Sequence, residues 1–269
     1  MKNRFDSVGG VVLRSIVIGE QFTLIEWFRR LLPPTAEPPA TMGAYERTTE
    51  QGFLLSGRDW KVVGTAAALM TLNVLLMAAF ALTPLAVVNS YLFSVPIIGV
   101  LVYGAAIYAG ERVAEKGLKA SNVAMALGGV VILQMAFGLF GGGILSVLSP
   151  EAMLPVLGIT AIITVLMTLA IGTYVYARSI TFEHYSTWSM YAFIGGVVAI
   201  LIGTFVTPVL LVGFVLIFTG FIFRLGWEIW RIRDGRVQAV SLQAIGLYVA
   251  VAGVFVHVLQ IVIRMLADR

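Results

Sequence analysis

The sequence predicts an all-α membrane protein: a bundle of seven transmembrane helices preceded by a short cytoplasmic amphipathic segment. Three observations carry this expectation. Of 269 residues, 59% are hydrophobic and only 12% are charged, about half the roughly 25% charged share of a soluble domain. The mean hydropathy is +0.95. The ionisable side chains also fall in clusters, and the runs between clusters are near the roughly 20 residues that a helix needs to cross hydrocarbon. A surface of this composition faces a lipid bilayer, which is the first expected partner.

The gaps between charge clusters set the spans. Span one is read over 62–82, two over 88–110, three over 121–147 and four over 153–177. Span five is read over 187–206, six over 209–230 and seven over 240–263. The breaks are Thr83-Pro84, the charged run Glu111 to Lys119, Ser149-Pro150-Glu151, Arg178 to Ser186, Thr207-Pro208 and Arg231 to Arg236. Each joins polar or charged residues to a proline or a basic cluster, where an apolar helix stops.

Basic residues set the expected orientation. Lys2, Arg4, Arg14, Arg29, Arg30, Arg47, Arg58 and Lys61 precede span one. Arg112, Lys116 and Lys119 follow span two, Arg178 follows span four, and Arg231, Arg233 and Arg236 follow span six. The alternate loops hold none, so the N-terminus is expected in the cytoplasm, in a prokaryotic plasma membrane. Arg264 and Arg269 fit less well. A re-entrant seventh span would give six crossings and return the C-terminus inside.

Two regions are expected: a cytoplasmic N-terminal segment over 1–60 and the transmembrane domain over 61–269. In the first, Leu24, Ile25, Phe28, Leu31 and Leu32 share one helical face, and Glu26, Arg29 and Arg30 the other. Such a helix lies in the headgroup layer or docks on the bundle. Pro33, Pro34, Pro38 and Pro39 follow as a stiff linker. Charges at Arg14, Glu20 and Glu26 interrupt the first apolar stretch, unlike the apolar core of a signal peptide. Gly138 and Gly142 in span three, with Gly195, Ala199 and Gly203 in span five, read as close-packing positions between helices.

Several chemistries are excluded. The chain has no cysteine, so disulfides and thiolate metal sites are absent. A retinal protein needs a lysine in its last helix, and no lysine follows Lys119. Haem iron is usually held by paired histidines, but only His184 and His257 exist. His-Glu-x-x-His, Gly-x-Ser-x-Gly and the phosphate-cradling Gly-x-x-x-x-Gly-Lys loop are all missing. No enzyme and no cofactor are expected. The net charge of +4 reflects the loops and does not imply a nucleic-acid partner.

Ionisable groups inside spans are costly in lipid and are the functional candidates. Arg224 and Glu228 lie four apart on span six, on one face, where they can pair. They read either as an ion path or as interfacial charges snorkelling beside a belt of Trp227 and Trp230. His257 lies about 24 Å along span seven, hydrogen-bonded to a neighbouring helix or acting as a relay. Tyr248 and Gln260 share that span, with Asn73 in span one and Gln134 in span three. Arg112 and Glu111 end span two, as loop charges or as partners of Glu228.

Three stretches then form a pattern. Leu169-Ala170-Ile171-Gly172-Thr173-Tyr174-Val175-Tyr176 leads into Ser186-Thr187-Trp188-Ser189-Met190. Phe218-Thr219-Gly220-Phe221-Ile222-Phe223 leads into Trp227-Glu228-Ile229-Trp230-Arg231-Ile232, and Leu247-Tyr248-Val249 opens the last span. Residues 161–263 thereby resemble the Bax inhibitor-1 family of transmembrane Bax-inhibitor-motif proteins. The resemblance implies a seven-helix bundle with the last helix near its centre, acting as a pH-sensitive calcium leak. In eukaryotes such proteins also suppress cell death. The family's gate uses two aspartates that share a proton, one ending helix six and one in helix seven. Here the first is matched by Glu228 and the second by Ala250, which cannot titrate, so pH gating is expected to be weak or absent. The expected function is therefore a passive leak for calcium or another cation. A small-solute transporter with broken helices in matching halves, or a non-conducting scaffold, are the alternatives.

Overall fold

The computed structural model describes residues 55–234 and 239–267. The amphipathic stretch 20–32 and the proline linker lie outside the described residues. Among the described residues, seven helices are long and apolar enough to cross a membrane, and the chain is an integral membrane protein. They are α1 (Gly57–Ala81), α2 (Pro96–Lys119), α3 (Val123–Leu145), α4 (Pro150–Ala177), α5 (His184–Gly203), α6 (Thr207–Arg233) and α7 (Val240–Ala267). No strand occurs among the described residues.

Local chemistry explains where the helices start. Ser56 and Asp59 form a reciprocal cap on α1. The Ser56 hydroxyl accepts from the Asp59 amide at 3.2 Å, and the Ser56 amide donates to the Asp59 carboxylate at 2.9 Å. This cap satisfies two otherwise orphaned amides, so α1 begins five residues before the apolar run at Val62. Asn122 caps α3 by accepting from the Met125 amide at 3.0 Å. Pro96, Pro150 and Pro208 stand in the first turns of α2, α4 and α6, where the missing amide costs nothing. Pro155 is tolerated early in α4, and that helix runs on to Ala177.

Span two differs from its expected range at both ends. Pro96 forces Val95 into an extended conformation, φ −121° and ψ 106°. The preceding residues therefore form a separate 3-10 turn over Pro84–Ala86 and a short helix over Val87–Leu92. Phe93 folds back to stack on Phe140 at 5.4 Å and on Tyr103 at 6.0 Å. At the other end, the charged run to Lys119 is helix, not loop. Arg112 and Lys119 both pair with Glu115, at 3.1 and 2.6 Å, in the spacings that support a helical turn.

The last helix is the axis of the bundle. Of the apolar window of α7, 83% is buried inside the protein, against 22–39% for the other six. Helices α1, α2, α3, α4 and α6 all pack on it, while α5 packs chiefly on α6. The helix is continuous over 28 residues, about 42 Å at 1.5 Å per residue. It is an unbroken helix, long and apolar enough to cross the bilayer without re-entering. The outer helices present apolar side chains such as Leu75, Leu154 and Leu166 outward, a surface that only lipid tolerates.

Glycines set the closest approaches. A Cβ on Gly129 of α3 would lie 2.5 Å from the Gly110 carbonyl of α2. On α5 and α6, a Cβ on Gly196 or Gly213 would come within 3.2 or 3.1 Å of the other's carbonyl. Neither pair admits a larger residue without separating the helices. The small stripe of α3 is used inside the chain: a Cβ on Gly142 would meet Phe80 of α1 at 2.8 Å. On α5 the tight positions are Gly196 and Gly203, whereas Gly195 has ordinary space. Asn73 of α1 clasps α3 within the apolar core. It donates to the Gln134 carbonyl at 3.1 Å and side-chain oxygen at 3.0 Å, and Gln134 donates to the Leu69 carbonyl at 2.9 Å.

Candidate functional site

Alternation of the helices brings the charged turns to one end. Among the described residues, Arg264 alone of the Lys and Arg side chains lies at the opposite end. At this basic end Glu228 is 2% exposed, and its carboxylate is turned toward the axis. It sits on Gly246 of α7, where an added Cβ would lie 2.5 Å from Oε1 and 2.7 Å from Cδ. Only glycine leaves room for the carboxyl group. Burial of this depth excludes the snorkelling expectation. Trp230 is also not part of an interfacial belt, being 1% exposed and packed in the core.

The ion pairs differ from the one expected. Arg224 does not pair with Glu228. It reaches across to Glu111 of α2 and forms an interhelical bridge, while Glu228 Oε2 accepts from Arg231 Nη1 at 3.0 Å. Four-residue spacing puts Arg224 and Glu228 on one side of α6, but each then turns to a different neighbour. Arg231 also lies over the Trp227 ring at 4.4 Å, which fixes the guanidinium against an aromatic face. Arg58 of α1 donates to Gln243 of α7 at 2.8 Å, and Gln243 donates to the Arg231 carbonyl at 3.3 Å. Two links thus tie the helices at this end: Arg224–Glu111 joins α6 to α2, and the run Arg58, Gln243, Arg231 and Glu228 joins α1, α7 and α6.

Arg233 closes the end of α6 onto the turn between α4 and α5. It donates to the carbonyls of Val175 and Arg178 at 2.5 Å and of Ile180 at 3.0 Å, and pairs with Asp234 at 2.8 Å. These carbonyls belong to a helix terminus that would otherwise lack donors.

The face of α7 toward α6 carries Gly246, Ala250, Gly253 and His257, spaced three or four residues apart. His257 does not bond to another helix. Its Nδ1–H donates to the Gly253 carbonyl one turn back, at 2.8 Å. The imidazole sits among three rings of α6: Phe214 at 5.0 Å, Phe218 at 5.5 Å and Phe221 at 5.5 Å. Phe221 also fills the notch at Gly253, where an added Cβ would overlap its ring. Arg264 lies over Phe214 at 5.2 Å and ends this seam.

Two candidates stand elsewhere. Tyr248 is buried on the other side of α7, edge-on to Phe137 of α3 at 6.0 Å. Its hydroxyl has no hydrogen-bond partner among the described residues. Arg112 pairs with Glu115 at 3.1 Å on the half-exposed end of α2. Sequence reasoning missed Arg231, Arg58, Gln243 and Gly246 as members of the site. The one available signal was that Gln243 is an amide opening an otherwise apolar helix. Among the described residues, no three His, Asp or Glu side chains gather where they could hold a metal ion. No protein-family model, curated protein or solved structure matches the chain.

Proposed function

We propose that this chain is a Bax-inhibitor-type membrane protein that provides a passive cation pathway beside α7, with Glu228 as its controlling group. The observation that carries the reading is the Glu228 carboxylate, 2% exposed and seated on Gly246 of the axial helix. A buried ionisable group inside a membrane bundle is retained at a cost of several kcal/mol, and an ion route uses that cost. The placement of α7 at the centre and of the acid on the preceding helix agrees with the resemblance read over 161–263.

Ala250 lies one turn from Gly246 on the same face of α7. It offers no second acid to share a proton, so the proposed leak responds weakly to pH. Glu111 and Glu228 each hold a guanidinium in this conformation, and a cation enters only where one withdraws. Among the described residues no three His, Asp or Glu side chains gather to hold a metal ion, and the proposed passage rests on contact with single carboxylates. In this reading the basic end faces the cytoplasm of a prokaryotic plasma membrane, by the bias of basic residues, and the chain performs no catalysis.

The test is calcium and monovalent-cation flux in proteoliposomes across pH for wild type, Glu228→Gln and Ala250→Asp. Glu228→Gln keeps the shape, removes the charge and alters the leak. Ala250→Asp gains a steep pH dependence. Equal flux in all three at every pH sinks the pathway. A non-conducting scaffold then takes its place, favoured by the interhelical bridge Arg224–Glu111 and the Arg233 clamp.

A further inference from the structure

We infer that Phe221 is the element that closes this pathway, a single aromatic plug seated in the Gly253 notch of the axial helix. The inference rests on the pathway reading and names the residue that keeps it shut. Helices α6 and α7 run antiparallel, so Glu228 stands over Gly246 and Phe221 over Gly253, with Ala250 between the two levels. On the α7 side the seam presents only Gly246, Ala250 and Gly253 before His257, a groove floored by backbone. On the α6 side Leu225 follows Glu228 on the same face and is fully buried, and the Phe221 ring, one turn further on, occupies the Gly253 notch.

The seat of that ring is specific. It lies so close to Gly253 that no side chain fits beneath it. It meets Phe193 of α5 edge-on at 4.8 Å and His257 at 5.5 Å. Phe193 also rests on Gly220, where an added Cβ would come within 2.9 Å of its ring. The plug is thus backed by α5, the helix that packs chiefly on α6 and has one face toward lipid. An apolar ring across a narrow route stops ions because water does not wet the constriction. Glu228 on one side and His257 on the other are the polar stations that the ring separates.

The natural absence of cysteine allows a direct test. Ala250→Cys places a small thiol at a fully buried position on the Glu228 side of the ring. In proteoliposomes, a small cationic thiol reagent is added to each face in turn, in the Phe221, Phe221→Leu and Phe221→Ala backgrounds. Reagent from the Arg264 face is expected to modify the introduced thiol roughly tenfold faster in Phe221→Ala, the shift that losing about one packed aromatic contact produces. Phe221→Leu keeps apolar bulk for folding and gives an intermediate rate. Unchanged modification in both variants overturns the plug. Flux of Glu228→Gln in the same membranes reports on the pathway separately. An altered leak there with unchanged labelling means that the route exists and is closed elsewhere. Faster labelling supports the plug whatever ion the seam conducts.

Discussion

One methyl group at Gly246 tests the placement of the buried carboxylate. In Gly246→Ala the new Cβ would sit 2.5 Å from Oε1, 2.7 Å from Cδ and 2.8 Å from Oε2 of Glu228. All three atoms are far inside van der Waals contact. The α7 backbone cannot yield easily, because Ala244, Tyr248, Val249 and Ala250 around it are fully buried. The carboxylate must therefore rotate off the helix and give up its 3.0 Å bond to Arg231. Overpacking costs about 1–3 kcal/mol, and a lost charged hydrogen bond about 1.5–3 kcal/mol. Partial escape of the side chain keeps the total near about 3 kcal/mol. For a chain of this size that corresponds to a fall in Tm of roughly 6–12 °C.

The assay is thermal unfolding in detergent, followed by the fluorescence of Trp227 and Trp230 beside the site. The control is Gly246→Ala combined with Glu228→Ala. Removing the carboxylate makes room for the methyl, so the double variant is expected to be more stable than the sum of the single effects by about 1–3 kcal/mol. Strict additivity, or a Gly246→Ala loss below about 0.5 kcal/mol, refutes the contact between Glu228 and the axial helix.

Glu111→Gln and Arg224→Met, taken through a double-mutant cycle, are expected to show coupling of about 1–3 kcal/mol, and a coupling near zero breaks the α2–α6 bridge. Asn73→Ala should weaken the α1–α3 contact by about 0.6–1.7 kcal/mol in the bilayer, read as steric-trap or detergent unfolding; an effect confined to expression level counts against the clasp. Reporter fusions at residues 117 and 150 should lie on opposite sides, the first cytoplasmic, and the same side for both rejects the topology.

The spans are legible because lipid leaves few choices: a long apolar run such as 153–177 must satisfy its backbone internally, as a helix. The starts are less legible. Val62 looks like the beginning of α1, yet the Ser56–Asp59 cap adds a turn that hydropathy does not register. Glu111 to Lys119 looks like a loop because charge ends a hydrophobic window, whereas the pairs at Glu115 keep the helix going into the headgroup region.

Glu228 itself is readable as a carboxylate inside a span. Its partners are not. Helical periodicity reports neighbours on the same helix, and so it matches Arg224 to Glu228. The bridge from Arg224 to Glu111 spans 113 positions of sequence and depends on α2 standing beside α6, which no local pattern encodes. Gly246 is silent for a related reason. A glycine in an apolar run looks like any packing position until the group resting on it is known.

The helix at the axis is the last of the seven described spans in chain order. The six described spans before it are therefore synthesised before the segment that most of them pack on exists. Until Val240–Ala267 arrives, Glu228 has no Gly246 to rest on, and Arg58 has no Gln243 to bond. Until then the earlier spans have only the contacts they make with one another, among them Gly110–Gly129, Gly196–Gly213 and the Asn73–Gln134 clasp. The arrival of this nearly uncharged rod supplies the contacts that fasten the other helices around it. A ribosome arrested before residue 240 would leave a protein with its helices inserted and its fold not yet made.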